Sequence, residues 1–172
     1  MSHVFLVGFM GAGKSTVGHL LAKDLGHPFI DLDETIEQDE GRSVTQIFAE
    51  DGETGFRSLE TRALRALGDA PPSVVACGGG VILVDENRAL LACEGRVVYL
   101  VVTPGEALAR IGGTESRPLL AGAGGVVAAT SLLTARESLY RASADIAVDT
   151  TGKEPSTVAS EVLALLKGVE VE

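Results

Sequence analysis

Hydrophobic positions along this chain follow two alternating rhythms. Short runs that are apolar at successive residues occur at 3–7, 28–31, 73–77, 96–102 and 145–149. Between them, stretches at 14–25, 44–50, 53–67, 85–93, 104–111, 131–142 and 155–167 repeat their apolar residues with the period of an amphipathic helix. Pro104 and Pro155 each stand where a first-turn proline would open the helix that follows. Runs apolar on both faces and joined by helices predict a parallel sheet covered on both sides. The expected architecture is a doubly wound α/β fold with five strands. No internal repeat or heptad pattern competes with it.

The junction of the first strand and first helix carries the strongest chemical signal. Residues 8 to 16 read Gly-Phe-Met-Gly-Ala-Gly-Lys-Ser-Thr, which satisfies G-x-x-x-x-G-K-[ST] in full. The run His3-Val4-Phe5-Leu6-Val7 precedes it and a helical pattern follows, so the strand–loop–helix context is also correct. Glycines at 8, 11 and 13 allow the backbone to curl with its N–H groups turned inward around a polyphosphate. The helix N-terminus adds positive potential there. Lys14 supplies a point charge for the outer phosphates and Ser15 a hydroxyl for Mg2+. A glycine-rich turn with a capping serine would not need all of these positions. A nucleoside triphosphate with magnesium is the expected ligand, bound by Gly11, Ala12, Gly13, Lys14, Ser15 and Thr16.

Composition narrows the partners. At 172 residues, with 45% hydrophobic and 22% charged residues, the chain is expected to form one domain with its own core. A net charge of −10 argues against nucleic acid or an anionic membrane, since both require an extended basic surface. It leaves room for a small anion gripped by a few convergent arginines. Cys77 and Cys93 lie sixteen positions apart, and His3, His19 and His27 offer no ligand spacing around them. Two reduced, buried thiols in a cytoplasmic protein are expected. The first strand begins at about residue 3, leaving no room for a targeting peptide, and the longest apolar run, Val97 to Val102, is too short to span a bilayer. A cytosolic monomer is expected.

Four further segments carry candidate chemistry. Asp31-Leu32-Asp33 closes the second strand, and residues two apart on an extended chain project to one side. Both carboxylates would face the crevice beyond the strand ends, Asp31 toward magnesium and Asp33 toward an attacking hydroxyl. A simpler role for Asp33 is to cap the helix beginning near Glu34. Arg57 lies between Glu53 and Glu60 on a helical pattern, so a solvated ion-pair ladder is an alternative to a ligand role there, and the same caution applies to Arg136. Gly78-Gly79-Gly80 follows the third strand, where glycines expose backbone N–H groups and let a ligand come close. Residues 112–130 break the periodicity between glycine pairs at 112–113 and 124–125, with Arg117 as the sole basic residue; a plain loop or an active-site lid fits this, and the phosphate loop favours a lid.

Taken together, these segments resemble the shikimate kinases, small P-loop kinases of the nucleoside-monophosphate-kinase type. The resemblance spans nearly the whole chain. Its motifs are Gly8 to Gly18, Asp31-Leu-Asp33, Gly41-Arg-Ser43, Ile47-Phe48, Phe56-Arg57-x-x-Glu60, Gly78-Gly79-Gly80, Arg117-Pro-Leu-Leu120 and Arg136-x-x-Leu-Tyr140. It implies a three-layer P-loop NTPase fold with a five-stranded parallel sheet in the order 2-3-1-4-5. It also implies a substrate-binding subdomain at about 32–60, a lid at about 112–124, and ATP-dependent phosphorylation of the 3-hydroxyl of shikimate. By resemblance, Asp33 activates that hydroxyl, Arg57 and Arg136 clamp the shikimate carboxylate, and Gly79 contacts a ring hydroxyl, flanked by Gly78 and Gly80. Phe48 and Phe56 would wall the pocket, and Glu60 would hold Arg57. Lys14 and Arg117 would stabilise the transferring phosphoryl group, Ser15 and Asp31 would serve magnesium, and Arg110, Lys153 and Pro155 would lie on the adenine side. The chain departs from the family in the apolar composition of residues 121–130 and in Ala76 before the glycine triplet.

Two other functions fit parts of the pattern. On the same scaffold, a nucleotide kinase would need a base-recognition pocket, and a gluconate kinase would use Asp33 and one arginine without explaining both arginines and the glycine triplet. A nucleotide-dependent switch would keep the phosphate loop but would have no need of Asp33, Arg57, Gly79 and Arg136.

Overall fold

A computed structural model describes residues 2–111 and 126–169. The expected lid and Arg117 lie outside the described residues. Five parallel strands form one sheet in the order β2-β3-β1-β4-β5: β1 His3–Val7, β2 Phe29–Asp31, β3 Val74–Ala76, β4 Gly95–Val101 and β5 Ile146–Asp149. All five expected strands are present; β1 has its expected bounds and the other four differ by one residue at one or both ends. The central strand β1 is buried at every position, as a strand with helices on both faces must be.

Seven α-helices and one 3-10 turn, Val81–Leu83, occur among the described residues: α1 Lys14–Leu25, α2 Leu32–Glu40, α3 Val44–Leu67, α4 Asp85–Glu94, α5 Pro104–Ile111, α6 Val126–Ser143 and α7 Pro155–Val169. α1 packs with α7, whereas α3 packs with α4 and both α4 and α6 pack on β4. Right-handed crossovers put these two groups on opposite faces of the sheet, giving three layers. Leu6, Val7, Phe9, Leu21, Val98 and Leu100 are fully buried between them. His3 is a satisfied core histidine. Its Nδ1 accepts from the Ser73 amide at 3.1 Å, so its Nε2 carries the hydrogen and donates to the Leu67 carbonyl at 3.0 Å.

Two helix boundaries and the burial of one cysteine differ from expectation. The helix after β2 begins at Leu32, and it is Asp31, not Asp33, that caps it, accepting from the amides of Asp33 and Glu34. α6 starts at Val126, five residues before its periodic pattern becomes regular, because Ala128 to Thr130 are small residues that show little amphipathic contrast. Cys77 is buried as expected, but Cys93 is exposed on α4.

The break expected between residues 50 and 53 is real. α3 begins with a reciprocal Ser43–Gln46 capping box and is interrupted at Gly52, which has φ 72° and ψ −177°. Only glycine adopts this backbone without strain. A Cβ at this position would meet nothing within 4 Å, so the requirement is conformational and not steric. Gly52→Ala is therefore expected to lower unfolding free energy by about 1–3 kcal/mol in urea denaturation, and an unchanged midpoint would contradict this reading.

Candidate active site

Topology places the site. The chain leaves β1 toward β3 and β2, then returns past β1 to β4 and β5, so the sheet has its switch point beside β1. The C-terminal ends of β1, β2, β3 and β5 carry, in turn, the phosphate loop, Asp31, the glycine triplet and Thr150 with Lys153. These converge on a cleft of about 980 Å3. Every site residue expected from the sequence within the described residues lines it, including Thr16, Arg110, Lys153 and Pro155 at one end and Phe48, Phe56, Arg57 and Arg136 at the other.

The phosphate end has the expected backbone. Gly8, Gly11 and Gly13 all have positive φ, at 146°, 77° and 92°. A side chain at Gly11 would collide with the Ala107 carbonyl, so the loop is packed as tightly as it is curled. Lys14 donates to the carbonyls of Gly8 at 2.9 Å and Phe9 at 3.1 Å, folding back onto the loop it follows. Arg110 is fixed from several directions: it donates to the Gly11 carbonyl, to the Thr150 hydroxyl at 3.0 Å and to the Thr150 carbonyl at 2.7 Å, and it pairs with Glu106. Thr150 had no signal in the sequence, because nothing in a strand-end threonine announces the residue it will hold.

Asp31 serves two elements at once. Its Oδ1 caps α2, while its Oδ2 accepts from the Ser15 hydroxyl at 2.8 Å. Asp31 and Asp33 do reach the same cleft, but through the first turn of α2 and not through strand alternation. A hydroxyl beside a carboxylate is a hard oxygen donor set that fits Mg2+. No cluster of three or more potential metal-binding His, Cys, Asp or Glu side chains occurs among the described residues, so phosphate oxygens and water would complete the shell.

The end of the cleft lined by Phe48, Phe56, Arg57 and Arg136 is built around buried charge. Arg57, with only 11% of its side chain exposed, pairs with fully buried Glu60 through a short contact and with Glu53 at 3.1 Å. Its guanidinium also lies 5.4 Å from the Phe56 ring centroid, and Phe56 packs against Phe48 in a tilted pair with centroids 4.8 Å apart. This is not a solvated ladder. Burial opposes the charge on Arg57, but Glu60 and Glu53 outweigh it, and the pKa is raised. For Glu60, burial dominates and raises the carboxyl to about 7; Arg57 pulls it down and nearby Asp33 pushes it further up. The two partners thus respond in opposite senses to the same burial. The direct Nη1–Oε2 contact keeps Arg57 cationic and confines the compromise to Glu60.

The glycine triplet is required for a reason the sequence did not disclose. At Gly78 a Cβ would lie 2.7 Å from Glu60 Oε1 and 2.9 Å from Asp33 Oδ1, and at Gly80 it would overlap the Arg57 guanidinium. The close approach is made by the protein's own functional side chains. Gly79 is more open, and its carbonyl accepts from the Tyr140 hydroxyl and from Arg136 Nη1 at 3.3 Å. Burial raises the Tyr140 phenol to about 12, so it remains a donor. Arg136 is 4% exposed and forms no ion pair among the described residues. The spacing of Arg136 and Tyr140, one helical turn apart, was the available clue to their joint work on Gly79.

A family model for shikimate kinase matches residues 10–167. The chain belongs to the shikimate kinase family. Shikimate kinases of Geobacter sulfurreducens and Moorella thermoacetica are 45% and 46% identical to it over 165 residues, covering 96% of this chain and 91% and 94% of theirs. A solved shikimate kinase from Acinetobacter baumannii in complex with shikimate aligns with a TM-score of 0.96 and 37% identity, over 100% of this chain and 96% of that one. A gluconokinase from Sinorhizobium meliloti shares the fold, with a TM-score of 0.60 at 20% identity. As a shikimate kinase, the chain is an ATP-dependent phosphotransferase with a P-loop kinase fold.

Buried Glu60 gives this shikimate kinase a pH signature. Between about 4.5 and about 7 the folded chain holds a proton that the unfolded chain has released. The stability contributed by this group is complete below pH 4.5 and is lost as pH rises through about 7. The Tm of the wild type relative to Glu60→Gln should therefore fall across that window. A difference independent of pH would contradict it.

Proposed function

We propose that the cleft aligns the 3-hydroxyl of shikimate with the γ-phosphorus of ATP, with Asp33 as the base and Arg57 and Arg136 as the carboxylate clamp. The observation that carries this reading is the charge at the acceptor end. Arg136 is a buried cation without an ion-pair partner among the described residues, beside a second arginine already fixed by Glu60. Burying a cation is costly unless a counter-charge meets it. A small carboxylate is the complementary ligand, because planar guanidinium groups bind it in a bidentate manner.

The residues then divide the work. Phe48 and Phe56 wall the ring, and Gly79, between Gly78 and Gly80, offers its backbone to a ring hydroxyl. Asp33 takes the hydroxyl proton as the acceptor oxygen forms its bond to phosphorus, and the bond from phosphorus to the bridging oxygen of ADP breaks. Lys14 and Arg117 balance charge on the transferring group, with Arg117 carried by a lid at about 112–124. Arg110, Lys153 and Pro155 flank the adenine, and Gly11 to Thr16 hold the phosphates. Mg2+ held at Ser15 and Asp31 would neutralise phosphate charge. Because phosphoryl transfer needs little covalent help, alignment and charge balance are most of the catalysis.

The reading also includes a single kinase domain over 1–172 with a substrate subdomain at about 32–60, acting as a monomer in the cytoplasm on free shikimate. A net charge of −10 agrees with a small-molecule partner and disfavours nucleic acid or an anionic membrane surface. Among the described residues no helix is long and apolar enough to cross a membrane.

An acceptor screen with ATP and magnesium tests it: shikimate should be phosphorylated, and transfer to gluconate or a nucleotide in its place would overturn the assignment. Asp33→Asn should abolish turnover while leaving ATP affinity nearly intact; a large loss of ATP binding would contradict its role as base. Arg136→Ala should act mainly on the KM for shikimate, raising it by roughly a hundredfold, as expected for a lost charge-assisted carboxylate contact. An unchanged KM would remove Arg136 from the pocket.

A further inference from the structure

We infer that Asn87 is a positioning residue for the acceptor end, holding the turn after the glycine triplet at a fixed separation from the helix that carries Arg57. The inference rests on the acceptor reading above. Asn87 is wholly buried on α4 and does not line the cleft. Both ends of its amide are used. Nδ2 donates to the Val81 carbonyl at 3.1 Å, and Oδ1 accepts from the Thr61 hydroxyl at 2.7 Å. A carbonyl can only accept, so the amide has one orientation that satisfies both neighbours.

Those neighbours are placed to matter. Val81 directly follows Gly80, and Thr61 lies one turn beyond Arg57 on α3. The Arg57 guanidinium itself occupies the space beside Gly80 where a side chain would be. The strut Val81–Asn87–Thr61 therefore runs alongside the Gly80–Arg57 contact and joins the same two elements. The turn moves as a unit, because Val81 N–H donates to the Gly78 carbonyl at 3.1 Å and Leu83 N–H to the Gly80 carbonyl at 3.0 Å. Tyr140 on α6 holds the triplet at Gly79, and Asn87 on α4 holds the residue that follows it. A hydrogen-bonded tie of this kind is directional, whereas apolar packing at the same place would set only a distance. The hydrogen bonds of the strut go to Val81 and α3 and none goes to the phosphate loop. Loosening it should weaken the grip on the acceptor and leave ATP alone.

Steady-state kinetics and calorimetric shikimate binding on Asn87→Leu, Thr61→Val and Thr61→Ser test this. Asn87→Leu should raise both KM and Kd for shikimate by roughly tenfold, with Thr61→Val in the same direction. The KM for ATP should stay within about twofold and kcat within about threefold, while Thr61→Ser, which keeps the hydroxyl, should match the wild type. If Asn87→Leu does not fold, Thr61→Val against Thr61→Ser decides. An equal rise in both KM values would overturn the inference. So would a lower Tm with the shikimate KM unchanged, since Asn87 would then be an ordinary core residue. Failure of the acceptor reading would be recognised separately, as wild-type protein that binds no shikimate, and would overturn both.

Discussion

Arg57 is a cation kept where a cation is costly, and the acceptor end is arranged around that cost. Its guanidinium packs against the backbone of Gly80, flanks the Phe56 ring and is neutralised mainly by Glu60, whose own side chain is completely buried. The cost is displaced from one residue to the next. Arg57 keeps its charge, Glu60 is driven toward protonation by burial, and Asp33 adds to that pressure across Gly78. A residue larger than glycine at 78 or 80 would separate these groups. The triplet is therefore as much a part of the charge arrangement as the charged side chains are.

The parallel sheet makes the rest economical. Strands that all point one way deliver their C-terminal ends to one edge, and the switch of chain direction beside β1 opens a crevice there. The phosphate loop from β1 and the triplet from β3 are neighbours because β1 and β3 pair directly. Asp31 ends β2, caps α2 and meets Ser15 from α1, so a single carboxylate ties the nucleotide half to the acceptor half. Two ligands can be brought together because two adjacent strands already are. Proximity of this kind is the main resource of a kinase that performs no covalent catalysis of its own.

What could be read from the chain was what local chemistry encodes. Apolar runs at 3–7 and 96–102 could only be buried strands, and the G-x-x-x-x-G-K-S spacing declares its own loop. The division of residues 44–67 at Gly52 was visible because a glycine flanked by two helical patterns stands out against both. Relations across the fold were not visible. That Gly78 and Gly80 make room for Glu60, Asp33 and Arg57, and not for a ligand alone, depends on α2 and α3 bringing these side chains to the turn after β3. Tyr140 reaches Gly79 across 61 positions of sequence and Asn87 reaches Thr61 across 26, and no periodicity records either pairing. Asp31 and Asp33 were placed on the correct side for an incomplete reason, since a helix cap replaced the expected extended strand. Cys93 shows the limit of composition: its residue type favours burial, but its position on α4 turns it outward.

In the proposed function a carboxylate belongs between the Arg57 and Arg136 guanidinium groups while Asp33 meets an alcohol facing the phosphate loop. A crystal structure with shikimate and ADP bound measures this directly. The shikimate carboxylate should lie within hydrogen-bond reach of both arginines, and the 3-hydroxyl within reach of an Asp33 carboxylate oxygen. Shikimate bound with its carboxylate away from either arginine, or with its 3-hydroxyl turned from Asp33, would contradict it.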